Sequence, residues 1–131
     1  AMDEEKMDVA GALGLERVSK QELARRLYKK IVDQTGGTHQ KKYYAGVKDA
    51  PKTVKHRYLV EDMLYGVVPV ASLARQIGIP TPALDAVIEV ASIVAEENFR
   101  EEGITMSALG LQGFSREELI AFVEEGEGVG V

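Results

Sequence analysis

The chain contains no cysteine and no tryptophan. Without a thiol there is no disulfide, no thiolate nucleophile and no cysteine-ligated zinc, and a reducing compartment is the expectation. Aromatics are sparse, five Tyr and three Phe, so a core must come from Leu, Ile, Val, Ala and Met. No apolar run approaches the ~20 residues that a membrane span needs, and no signal peptide opens the chain. The expectation is a cytoplasmic protein with no membrane contact. Only two histidines occur, His39 and His56, and they lack the paired spacing of metal ligands, so no metal site is expected. No serine sits in a nucleophile elbow. The glycines at 126–131 resemble a dinucleotide loop only superficially, since such a loop follows a strand and opens a helix. They read as a flexible tail.

What is present suits one globular domain. A length of 131 residues, 45% hydrophobic and 28% charged, fits a single domain with a true core. Charge is unevenly spread. Residues 1–60 carry 13 Lys/Arg against 8 Asp/Glu, and residues 61–131 carry 3 against 13. The basic residues are scattered, which favours attraction between the halves, or between two copies, over a nucleic-acid partner.

Along the chain, helical periodicity recurs and period-two alternation does not. Residues 3–13 place Met7, Ala10 and Leu13 at helical spacing behind first-turn acids, with Gly14 as a C-terminal stop. The chain begins almost inside this helix, as a domain cut from a longer protein would. Ser19 and Glu22 have capping-box spacing ahead of a face of Leu23, Leu27 and Ile31. A long loop with Gly36, Gly37, Gly46 and Pro51 follows, and His39 lies in it. Val70 to Ile77 reads as helix, stopped by Gly78 and Pro80. Thr81 as N-cap and Pro82 at the first position open a helix of about 17 residues with a face of Leu84, Val87, Ile88, Ala91 and Val94. Residues 105–111 read as one short helical turn, and Ser115 with Glu118 repeats the capping box up to Gly126. The expected fold class is all-α.

Residues 70–91 have the cadence of a helix-turn-helix. A recognition helix must offer donors to bases and cations to phosphates, whereas the second helix here carries Asp85 and Glu89 and no cation. No nucleic acid is expected.

One cluster remains, in the stretch HRYLVEDMLYGVVPVASL from His56 to Leu73. On a regular helix Arg57 and Glu61 form an i,i+4 pair, an ordinary surface ion pair. Asp62 lies five steps from Arg57, so the two meet on one ligand only if Arg57 sits at the helix start. Arg offers a planar fork of donors suited to a carboxylate, and Asp can orient a histidine. The residues by themselves leave both readings open.

The run YYAGVKDAPKTVKHRYLVEDMLYGVVPVASLARQIGIPTPALDAVIEVAS resembles the C-terminal helical domain of the opine (octopine/nopaline) dehydrogenase family, most distinctively in R-Y-L-V-E-D-M-L-Y-G-V-V-P. The flanking segments resemble the same domain, so the likeness covers nearly all of residues 1–131. It implies an all-α domain similar to the C-terminal domain of 6-phosphogluconate dehydrogenase, partnered by an N-terminal Rossmann domain that binds NAD or NADP. It implies reductive condensation of an amino acid with a 2-keto acid. Without the Rossmann domain the apolar surface that it covers would be left open, so self-association to a homo-oligomer is expected. Arg57 would hold a substrate carboxylate, Asp62 would partner a catalytic histidine, and Tyr65 and Gly66 would line the pocket. Neither the Rossmann domain nor the segment with that histidine is in this sequence, and His56 matches another position. The isolated chain is therefore expected to be inactive. The alternative is a free-standing helical module that dimerises without catalysis.

Overall fold

The computed structural model describes residues 1–27 and 57–126. All regular elements among them are helical, as the missing alternation predicts. The long loop with His39, and His56 itself, lie outside the described residues.

Helix α1 (Met2–Ala12) stops where the sequence places its stop. Gly14 takes a positive φ of 76°, its N–H donates to Gly11 O at 3.1 Å, and the Leu15 N–H reaches Ala10 O at 2.9 Å. This paired closure needs a residue without a Cβ. Helix α2 (Lys20–Leu27) has half of the expected capping box. Ser19 Oγ accepts from the Glu22 N–H at 3.1 Å, but the Glu22 carboxylate turns to Arg26 Nε. Asp3 of α1 accepts from the Lys20 N–H instead, at 3.0 Å. Leu23 and Leu27, expected as a buried face, are exposed, because no other described element lies over them; Ile31 lies outside the described residues.

Residues 57–76 form one helix in three parts: α3 (Arg57–Asp62), a π-helical turn (Met63–Val67) and α4 (Val68–Gln76). The expected helix began at Val70, so the structure extends it toward the N-terminus by thirteen residues. The cause is Pro69. Inside a regular helix its ring would collide with the Tyr65 carbonyl and offer it no N–H. The backbone avoids this by widening one turn rather than by ending, and the Val68 N–H donates to Met63 O, five residues back.

Helix α5 (Pro82–Ala95) crosses the centre of the fold and packs against α1, α4, the π-helical turn and the short helix α6 (Phe99–Glu102). It is 14 residues long, shorter than the 17 the periodicity predicts. Glu96 adopts a left-handed conformation (φ 56°) without being glycine. The chain reverses there and carries Phe99 into the core at 0% exposure, which offsets the cost of the strained backbone. Leu84, Ile88 and Ala91 face inward as expected, whereas Val94 is 47% exposed.

The C-terminal part begins with hydrogen-bonded turns over 106–110 in place of the expected helical turn. Gln76 fastens this region to α4, its Nε2 donating to Leu111 O at 2.8 Å and Phe114 O at 3.0 Å. Helix α7 (Arg116–Glu125) has the complete capping box: Ser115 Oγ accepts from the Glu118 N–H, and the Glu118 carboxylate accepts from the Ser115 N–H.

Candidate functional site

The helix of residues 57–76 sorts its side chains by face. Met63, Val67 and Val68 are buried. Asp62, Tyr65 and Gly66 are exposed, Tyr65 by 64%. Spaced three and four residues from Asp62, Tyr65 and Gly66 share its side of the helix. Arg57 is the first residue of α3, the position from which its side chain could turn toward Asp62. That side chain lies outside the described residues, and with it the expectation of a pairing with Glu61.

Three of the four expected site residues therefore stand on one solvent-facing stretch, at or beside the π-helical turn. Such turns recur at functional sites because one wide turn re-aims side chains and releases a carbonyl. The released carbonyl here is that of Leu64, which accepts from the Ile104 N–H at 2.9 Å. Next to it, Gly103 sits so close to the helix that a Cβ would lie 2.6 Å from Val68 Cγ1. Met106 N–H adds a bond to Ser72 Oγ at 3.0 Å. Residues 103–106 thus brace the turn that presents Asp62, Tyr65 and Gly66. A Gly-x-x-Pro step within otherwise helical periodicity, Gly66 to Pro69, is the sequence signal for this turn. The bracing from residue 104 has no local signal.

Beside α3 runs a groove of about 400 Å³ lined by Leu59, Ala86, Val87, Val90, Ala91 and Val94. It contains no polar side chain to orient a substrate, so the groove alone does not make a ligand pocket. Charges gather on the far flank of α5. Arg100 donates to Asp85 Oδ1 at 2.9 Å and to Glu89 Oε1 at 2.7 Å, and Arg75 donates to Asp85 at 3.1 Å. Partial burial disfavours the Arg100 charge, but the two carboxylates outweigh it and hold the guanidinium more firmly protonated than usual. Among the described residues no three His, Cys, Asp or Glu side chains converge as metal ligands, and no helix is long and apolar enough to cross a membrane.

Comparison with known proteins bears on this geometry. The family model for the alpha-helical domain of NAD/NADP octopine/nopaline dehydrogenases matches residues 1–95. Opine dehydrogenase of Arthrobacter sp. (strain 1C) is 37% identical over 81 residues, which cover 62% of this chain and 22% of that protein. Protein ocs of Agrobacterium vitis is 30% identical over 127 residues, 92% of this chain and 34% of its own length. Vitopine synthase of Allorhizobium ampelinum is 28% identical, over 86% of this chain and 31% of that protein. The chain thus spans about a fifth to a third of the length of these curated relatives.

Proposed function

The chain belongs to the octopine/nopaline dehydrogenase family, matching its alpha-helical domain, and from that premise we propose that it is the substrate-side part of a cytoplasmic NAD- or NADP-dependent dehydrogenase. The reaction class is the condensation of an amino acid's amine with a 2-keto acid, with loss of water, followed by reduction of the imine. The described residues build no strand–loop–helix to cradle a dinucleotide, so the cofactor would be held by an N-terminal Rossmann domain of the same enzyme. The 131-residue chain by itself would be inactive.

Within this reading each residue has one task. Arg57 would hold the keto acid's carboxylate through its two-pronged guanidinium, fixing the carbonyl carbon for attack. Asp62 would accept a hydrogen bond from a histidine elsewhere in the enzyme, keeping one tautomer and stabilising the imidazolium as it gains a proton. Tyr65 would supply a wall, and Gly66 would let the substrate approach the backbone. The observation that carries this reading is the shared exposure of Asp62, Tyr65 and Gly66 on the helix that Arg57 opens. A second domain could close over that side.

The test is the complete dehydrogenase assayed against a panel of amino acids and 2-keto acids. Arg57→Ala is expected to raise KM for the keto acid. Asp62→Asn is expected to lower kcat by about 10²–10⁴, the range for impaired acid–base catalysis. Undiminished activity in both variants would reject the assigned roles.

A further inference from the structure

The wide turn in the helix of residues 57–76 decides where Asp62 stands. Ala71 points into the core at 3% exposure. Counted back from it at about 100° per residue, a regular helix would put Leu64 about 20° from that direction and Met63 about 80° away. Asp62 would stand about 180° away, at the back of the helix. The structure instead buries Met63, at 5% exposure, and leaves Leu64 only half-buried. The π-helical turn therefore shifts what precedes it by about one residue, and Asp62 takes the flank beside the core in place of the back.

Pro69 forbids the regular turn but does not choose which carbonyl is released. That choice comes from a distant segment. The Ile104 N–H donates to Leu64 O at 2.9 Å, and the Val68 N–H turns to Met63 O. The segment that delivers Ile104 is fixed at both ends. The Gly103 N–H donates to Phe99 O at 2.9 Å, with Phe99 wholly buried, and the Met106 N–H donates to Ser72 Oγ at 3.0 Å. Gly103 has φ −73° and ψ 167°, a conformation open to any residue. Glycine is needed there for room alone, since a Cβ would stand 2.7 Å from Val68 Cβ and 2.8 Å from Phe99 O.

We propose that Ile104 is a positioning residue of the enzyme, its backbone N–H fixing the register of the wide turn and so the aim of Asp62 at its histidine. The inference rests on the role proposed for Asp62. Without the bond the turn is free to slip, and a slip of one residue swings the carboxylate by about 100°. A carboxylate that no longer faces the imidazole stops stabilising its protonated form, so the pKa of the histidine falls.

Ile104→Pro tests this in the complete dehydrogenase. Proline removes the N–H, and Gly103 already has the extended conformation that precedes a proline. The kcat is expected to fall roughly 10–100-fold, the cost of a misplaced catalytic group. The histidine-controlled limb of the pH–rate profile is expected to move to lower pH by about 0.5–1 unit, toward its position in Asp62→Asn. Ile104→Ala keeps the N–H and is expected to keep the wild-type limb, whatever stability it loses. A purely structural brace would lower the amount of active enzyme and leave the limb in place. Where Ile104→Pro gives no folded enzyme, Ser72→Ala decides, because it removes only the acceptor of the Met106 N–H; a smaller shift in the same direction is expected. A limb that stays at the wild-type pH in the deciding variant, while Asp62→Asn moves it, overturns the positioning role and leaves the proposed function standing. A limb unmoved by Asp62→Asn rejects the role of Asp62 and this inference with it.

Discussion

The carboxylate of Glu5 caps a helix that begins 77 residues later, accepting from the Ala83 N–H at 2.7 Å and the Leu84 N–H at 2.9 Å. Thr81 occupies the N-cap position of α5 as its sequence predicts, yet its side chain makes no capping bond. The buried carboxylate from α1 takes that role, and the negative charge also suits the positive end of the helix.

Glu5→Ala should therefore destabilise the fold by about 2 kcal/mol, the upper range for a lost cap, since two inward-facing donors lose their acceptor. Glu5→Gln keeps one acceptor and should lose roughly half as much. Urea midpoints for the three proteins check the order. A loss below about 0.5 kcal/mol for Glu5→Ala would mean that water replaces the carboxylate without penalty.

Gly103→Ala tests the bracing of the π-helical turn. The added methyl would meet Val68 Cγ1 at 2.6 Å and Phe99 O at 2.8 Å, an overpacking worth about 1–3 kcal/mol. Val68→Ala in the same chain removes the Cγ1 contact but leaves the residue's Cβ at 2.7 Å and the Phe99 carbonyl at 2.8 Å. The double variant should thus lose less than the two single losses combined when thermal midpoints are compared. Simple additivity would show that the Cγ1 contact contributes nothing to the clash.

Phe99→Ala should cost about 3–5 kcal/mol, because a fully buried ring leaves a cavity among Leu84, Ile88 and Ala95. Phe114→Ala offers the contrast. Its ring is half-buried and stacks edge-on against Phe122 at 6.1 Å, so about 1 kcal/mol is expected. Denaturant unfolding of both variants should separate them clearly, and equal losses would contradict a core centred on Phe99.

The link between α2 and the segment before it depends on pH. Arg26 grips Glu16 with two bonds, at 2.8 and 2.9 Å. This hydrogen bonding, aided by the guanidinium charge, holds the Glu16 carboxyl below its usual range. A depressed carboxyl pKa contributes stability that is fully present above the unfolded value and is lost as pH falls through the folded one. Amide shifts of residues 20–27 should be steady above pH ~5 and move as pH falls below the ordinary carboxylate value of about 4.3. The movement should be smaller in Glu16→Gln.

The stretch that carries the candidate residues was legible before any coordinates. Arg57, Glu61 and Asp62 stand out through residue type and spacing, whereas Tyr65, Gly66 and every role came only from the family resemblance. The breadth of the helix carrying them was not legible, because Gly66 and Pro69 read locally as interruptions. A wide turn absorbs Pro69 only where Ile104, forty residues from Leu64, arrives to satisfy the released carbonyl.

The sequence by itself determined the elements whose causes lie within a few residues. These are the all-α class, the glycine-closed ends of α1 and α4 and the reciprocal cap of α7, all governed by short-range hydrogen bonds and backbone freedom. Tertiary structure alone decided what depends on distant partners. It assigned the α5 cap to Glu5, ended α5 early so that Phe99 could be buried, and braced the π-helical turn from residues 103–106. Burial rewards a contact regardless of the chain length between its ends, and periodicity along the chain carries no record of those pairings.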